Sequence, residues 1–162
     1  NMTALFQNIL VAIDRSPTSE HVFVKALALA QAAHGRLVML SAIGSDCPSN
    51  YINSPIYPGS GAISISEAAL KIHLEHQEQE RTTGLAFLKD LADRANAVDV
   101  ATEITQQIGD AGRMICDVAK DRSVDLIVVG RRGHRGLNEL FMGSVSNYVL
   151  HNAPCSVLII QG

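Results

Sequence analysis

Residues 124–146 read VDLIVVGRRGHRGLNELFMGSVS, and the rest of the chain is arranged around them. The opening run, Val124, Leu126, Ile127, Val128 and Val129, is apolar without alternation, the pattern of a strand covered on both faces. Four glycines follow it, Gly130, Gly133, Gly136 and Gly143. Ser144 then leads into a predicted helix, Val145 to about His151. A strand that stops at a glycine-rich loop and restarts as a helix suits a phosphate. Glycines let the backbone come close to a ligand. The helix N-terminus offers unpaired N–H groups and a partial positive charge. Ser144 and Ser146 add hydroxyls at that end.

Two well-known phosphate loops are excluded by pattern. The chain has no G-x-x-x-x-G-K-[ST] and no G-x-G-x-x-G after a strand. Its own spacing is Gly130, two residues, Gly133, nine residues, Gly143, Ser144.

Outward from this stretch, the run Ile9 to Ile13 reads as a second doubly covered strand, ending at Asp14. Ser16 is placed to cap the next helix, with Pro17 at its first position and Glu20 in its first turn. That helix is expected to reach about His34, with Gly35 as its C-cap. Leu37 to Ile43 is the next strand. Segment 44–62 is punctuated by Pro48, Pro55, Pro58 and several glycines, and is expected to be a flexible loop. Ser64 and Glu67 form a capping box ahead of a long helix, about Ile65 to Ala95, with a bend expected at Gly84. Val98 to Ile108 alternates between apolar and polar residues, which suits an edge strand. Asp110 is placed to cap a helix from Ala111 to about Asp121. Cys155 to Ile160 is the last strand, apolar and with little beyond it to cover it.

Five strands alternating with four helices predict a three-layer, Rossmann-like α/β domain with a parallel sheet in the order 3-2-1-4-5. Ligands of such sheets sit at the carboxyl ends of strands where the order reverses. Here that point lies between the first and fourth strands, with Asp14 facing Gly130.

Bulk composition agrees. The chain has 162 residues, 47% of them hydrophobic and 18% charged, which suits one folded domain, 2–162. Asn1 ahead of Met2 reads as a cloning remnant. The formal net charge of −3 argues against a dedicated nucleic-acid binder. No apolar run is long enough for a membrane span, and no signal peptide is visible. Three cysteines, Cys47, Cys116 and Cys155, without C-x-x-C, suggest neither a disulfide framework nor a zinc site. A reducing, cytoplasmic location is expected. His73, His76 and Glu80 share one helical face; a solvated polar face outweighs a metal site there.

The glycine–serine pattern resembles the nucleotide loop of the universal stress protein family, in its ATP-binding branch, G-x2-G-x9-G-[ST]. The likeness extends to NILVAIDRSP at the start, DLIVVGRRGHRGL in the middle and GSVSNYVLHNAPCSVLII at the end. It implies an adenine nucleotide alpha hydrolase-like fold, ATP or AMP as ligand, a link to stress, and a homodimer through strand 155–160. It places Ala12 and Ile13 under the adenine or ribose, with Ile43 closing the adenine pocket. Asp14 would lie near the ribose or reach a phosphate-bound Mg²⁺. Val129 and Gly130 would bring backbone to the ribose and phosphates, Arg132 and Gly133 would line the phosphate path, and Gly143, Ser144, Val145 and Ser146 would hold the phosphates.

Each role has a plainer reading beside it. Asp14 also suits the start of the first helix, and Ile43 and Val129 also suit the core. Three functions therefore compete: a dimeric nucleotide-binding sensor or switch, a slow ATPase or autophosphorylating protein, and a structural dimer without nucleotide. No P-loop lysine and no dedicated base is present in the pattern, so no catalytic residue is assigned.

Overall fold

A computed structural model describes residues 6–44, 67–131 and 142–161. Among these, strands β1 (Asn8–Ala12), β2 (Arg36–Ile43), β3 (Thr102–Ile108), β4 (Leu126–Gly130) and β5 (Ser156–Ile160) alternate with helices α1 (Ser19–Ala33), α2 (Glu67–Asn96), α3 (Ala111–Asp121) and α4 (Ser144–Asn152). The sheet is parallel throughout, in the order β3-β2-β1-β4-β5 that the sequence predicts. Loop 45–62, Ser64 and the glycine loop from Arg132 to Gly136 lie outside the described residues.

The uninterrupted apolar strands are explained by cover on both sides. Successive side chains of a strand point to opposite faces. Ile9, Val11, Leu37, Met39, Leu126 and Val128 join Phe23, Leu88 and Leu91 under α1 and α2. Leu10, Val38, Leu40, Ile127 and Val129 join Ile115, Val118 and Val149 under α3 and α4. At the amino end of the sheet, Asp125 ties β4 to β1, accepting from the backbone N–H of Gln7 at 2.8 Å and of Asn8 at 3.2 Å. Toward the carboxyl end the β1–β4 pairing stops at Val11 and Val128.

Several boundaries differ from the sequence expectation, each for a local reason. Helix α1 starts at Ser19 with Thr18 as N-cap, two residues later than Pro17. The Asp14 carboxylate captures the Ser16 N–H at 3.0 Å and makes a turn of Ser16 to Thr18. Its C-cap is His34, in the left-handed region at φ 51, rather than Gly35. Strand β3 begins at Thr102 rather than Val98. Residues 97–99 instead close the end of α2, with Asp99 left-handed at φ 62 and the Val100 N–H donating to Ala95 O at 3.1 Å. Helix α2 runs unbroken through Gly84. The glycine answers to β3: a Cβ there would lie 2.6 Å from Gln106 Nε2.

Helices α1 and α2 are joined by Arg94, which donates to Glu20 (Nη1 to Oε2, 3.0 Å) and lies 4.9 Å from the centre of the Phe23 ring. The hydrogen bond from Arg94 holds the Glu20 carboxyl below the usual glutamate range, and Glu20 raises Arg94 in turn. A depressed carboxylate contributes fully above its unfolded pKa and loses that contribution as pH falls through its folded one. Glu20→Gln is therefore expected to cost about 0.5 kcal/mol at neutral pH, the modest value of a half-exposed pair. In melts followed across pH, its gap from the parent should close in acid. A gap that stays constant into acid would refute the pairing.

Candidate functional site

The β1–β4 ladder pairs Ile9 with Leu126 and Val11 with Val128. Carried on in register, it sets Ile13 rather than Asp14 beside Gly130, with Asp14 one residue beyond the position expected for it. Ile13 stays pinned to β2 through its N–H, 2.8 Å from Leu40 O. Ala12 pairs with Leu40, so β2 runs three residues farther, to Ile43, which pairs with Ile108 of β3. The side chains of Ile13 and Val129 are core, 3% and 2% exposed. Only their backbone faces the edge.

Asp14 organises the turn that follows. Its Oδ1 accepts from the Ser16 N–H at 3.0 Å and from the Ser16 and Ser19 hydroxyls, each at 2.5 Å. Asp14 thus shapes the turn ahead of α1, whose N-cap is Thr18, and reaches the helix itself only through the Ser19 hydroxyl.

Across the crevice, the glycine loop leaves and returns through a closed stem. The Arg131 N–H donates to Ile160 O at 2.9 Å, and the Gly143 N–H donates to Arg131 O at 2.9 Å. Ser146, 3% exposed, donates its hydroxyl proton to Gly130 O at 2.6 Å, with Arg131 O at 3.2 Å. The Ser146 hydroxyl is thereby a latch on the stem, and its backbone N–H is what remains to offer a ligand. This latch spans sixteen residues, and nothing in the sequence pattern announces it.

Helix α4 starts directly above the stem. Gly143, extended at φ −61 and ψ 152, supplies no side-chain cap. The first intrahelical bond is Asn147 N–H to Gly143 O, 2.9 Å. The N–H groups of Ser144, Val145 and Ser146 therefore have no acceptor within the helix, at its positive end. The helix is held in this place by close packing: a Cβ at Gly112 on α3 would lie 2.8 Å from the Tyr148 ring. Glycine is what lets α3 and α4 approach.

The structure thus brings Ala12, Ile13, Asp14, Ile43, Val129, Gly130, Gly143, Ser144, Val145 and Ser146 to one edge. Arg132 and Gly133 lie outside the described residues. Among the described residues no cluster of potential metal ligands forms, and Glu80 of the His73, His76, Glu80 face pairs instead with Arg15. Burial pushes the thiols of Cys116 and Cys155 up, as suits packing rather than nucleophilic use. No helix among the described residues is long and apolar enough to cross a membrane.

Ser146→Ala would strip the latch and take from Gly130 O the hydroxyl that donates to it, while Arg131 O keeps the Gly143 N–H. It is expected to cost about 1–2 kcal/mol, roughly 3–6 °C in a thermal melt for a chain of this size. An unchanged melting temperature would show that the stem does not depend on the hydroxyl.

The universal stress protein family model matches residues 5–161. The chain belongs to that family. Universal stress protein Sll1388 of Synechocystis is 39% identical, the match covering 96% of this chain and 98% of Sll1388. Among solved structures, the universal stress protein UspA of Lactobacillus plantarum superposes with a TM-score of 0.79 at 23% identity, over 98% of this chain and 99% of UspA. An Arabidopsis thaliana universal stress protein family protein with AMP bound superposes at 0.63, with 20% identity over 96% of this chain and 91% of that one. A universal stress protein in complex with cAMP superposes at 0.62, with 23% identity over 97% and 98%. At these identities the structural likeness shows the fold of a universal stress protein and no more.

Proposed function

We propose that this universal stress protein holds an adenine nucleotide in the crevice between β1 and β4, and that occupancy makes it a sensor or switch in a stress response. The observation that carries the reading is the start of α4: three backbone N–H groups without helical acceptors, at a positive helix end, above a latched glycine stem. Gly143 to Ser146 take the phosphates, and Gly130, with Arg132 and Gly133, lines the path to them. Ala12 and Ile13 underlie the ribose or adenine, and Ile43 closes the adenine side. AMP and cAMP in two structural neighbours support the adenine class of ligand. ATP is included because the spacing from Gly130 to Ser144 is that of the ATP-binding branch. Magnesium binds one or two carboxylates together with phosphates, and Asp14 is the carboxylate at the β1 end, so a Mg²⁺ carried by ATP would meet it there.

The second copy is proposed to pair along β5. That strand closes the sheet at one edge, and Val157, Leu158, Ile159 and Ile160 are each half-buried in a single chain. An apolar strand at an edge is a template for another strand. Two half-buried cysteines without disulfide agree with a reducing cytoplasm.

Calorimetric titration of nucleotide-stripped protein with AMP, ADP and ATP tests the ligand, and light scattering tests the dimer. Saturable binding near one nucleotide per chain is expected, with phosphate release slow or absent. No heat at millimolar nucleotide would leave only the structural dimer.

A further inference from the structure

Helix α2 is much longer than the strands it covers. Its first buried residue is Gly84, and its buried side chains are Leu88, Leu91, Ala92 and Ala95. The half from Ala68 to Thr83 therefore extends past the sheet. It does so at the carboxyl edge, because α2 follows β2 and runs back against it. Along this overhang Leu70, Ile72 and Leu74 are 48%, 67% and 54% exposed, so burial contributes little to holding it. Helical segments without a packed face are marginal in water.

The ion pairs of the overhang divide into two kinds. Lys71–Glu75 and Arg81–Glu78 stay within the helix. Arg15–Glu80 crosses to the turn after β1. Arg15 adjoins Asp14, whose carboxylate shapes that turn at the mouth of the crevice. Glu80 lies one turn before Gly84, on the side of α2 that faces α1. The pair thus joins the turn after β1 to the overhang.

We propose that the Arg15–Glu80 ion pair is a clasp that couples the order of the α2 overhang to occupancy of the β1–β4 crevice. A ligand that orders the Asp14 turn fixes the Arg15 backbone, and Arg15 then holds Glu80 more of the time. By reciprocity, breaking the clasp loosens the overhang and weakens the ligand by the same coupling factor. The coupling half of this inference rests on the nucleotide reading; the clasp half does not.

Hydrogen–deuterium exchange over residues 70–80 tests both halves, on the full chain with and without saturating AMP. Without nucleotide, Glu80→Gln is expected to speed exchange there about threefold, the scale of one half-exposed pair, and 1 M salt should do the same to the parent. The double swap Arg15→Glu with Glu80→Arg should restore parental exchange. AMP should slow exchange over 70–80 in the parent and the swap and not in Glu80→Gln, whose AMP affinity should fall about threefold. Exchange unchanged by Glu80→Gln, or left fast by the swap, overturns the clasp whether or not AMP binds. Saturable AMP binding that leaves 70–80 unchanged in the parent overturns the coupling. Absence of AMP binding in the parent refutes the nucleotide reading and with it the coupling, while the nucleotide-free comparison still decides the clasp.

Discussion

Gly143→Asp is expected to weaken nucleotide binding at least about tenfold, or about 1.4 kcal/mol, without lowering the melting temperature. Gly143 sits at the N-cap of α4 with φ −61 and ψ 152 and no capping side chain. That backbone conformation accepts any residue, and aspartate is among the best caps. Its carboxylate would take one of the amides that glycine leaves open and would complement the helix dipole, adding roughly 0.3–1 kcal/mol to stability. The same carboxylate would occupy the place of a phosphate and repel it. Loss of even one charge-assisted hydrogen bond costs about 1.5–3 kcal/mol. The substitution therefore separates a glycine kept for the ligand from a glycine that only shapes a turn. Calorimetric titration and a thermal melt on the same sample read both quantities. Unimpaired binding with a raised melting temperature would place the phosphates elsewhere.

Gly35→Ala is expected to destabilise the fold by about 2–3 kcal/mol, roughly 5–10 °C in a melt. An added Cβ would lie 2.7 Å from Phe6 O and 3.0 Å from Gln7 O. Both are backbone atoms at the entry to β1, and the Arg36 N–H bonds Gln7 O at 2.9 Å next to them. No side chain can rotate aside, so the strands must shift. The small gain from a less flexible unfolded chain does not offset this. His34→Gly should behave in the opposite sense. His34 occupies the left-handed position at φ 51, where its N–H reaches Ala30 O and Gln31 O. Glycine there should be neutral or stabilising by up to about 1 kcal/mol. Equal destabilisation by both changes would contradict this division of roles.

These two glycines show what is legible in a sequence. That α1 ends near residue 35 follows from the end of its apolar period and from the glycine. Which residue turns left-handed does not, because the approach of Phe6 and Gln7 is a tertiary fact. Sheet order and parallel pairing were legible because Ile9 to Ile13 and Leu126 to Val129 are apolar at every position, while β3 alternates. The starts of α1 and β3 were misplaced where local contacts outbid the pattern: the Asp14 carboxylate captures Ser16, and the turn at Asp99 consumes Val98. Around the candidate site, the end of β4 at Gly130 and the start of α4 at Ser144 were legible, since a glycine closes the apolar run and a Gly-Ser pair opens the helix. The Ser146 latch and the Arg15–Glu80 pair were not. Their partners are 16 and 65 residues apart, and no periodicity joins them.

We propose above that the amides at the start of α4 receive the phosphates of an adenine nucleotide. A titration of nitrogen-15-labelled, nucleotide-free protein with AMP and then ATP tests it most directly, followed at individual amides. Saturable shifts are expected at Ser144, Val145 and Ser146, at Gly130 across the stem and at Ile13 and Asp14 just after β1, with inorganic phosphate reproducing the α4 shifts alone. Shifts confined to other surfaces, or none at millimolar nucleotide, would contradict it.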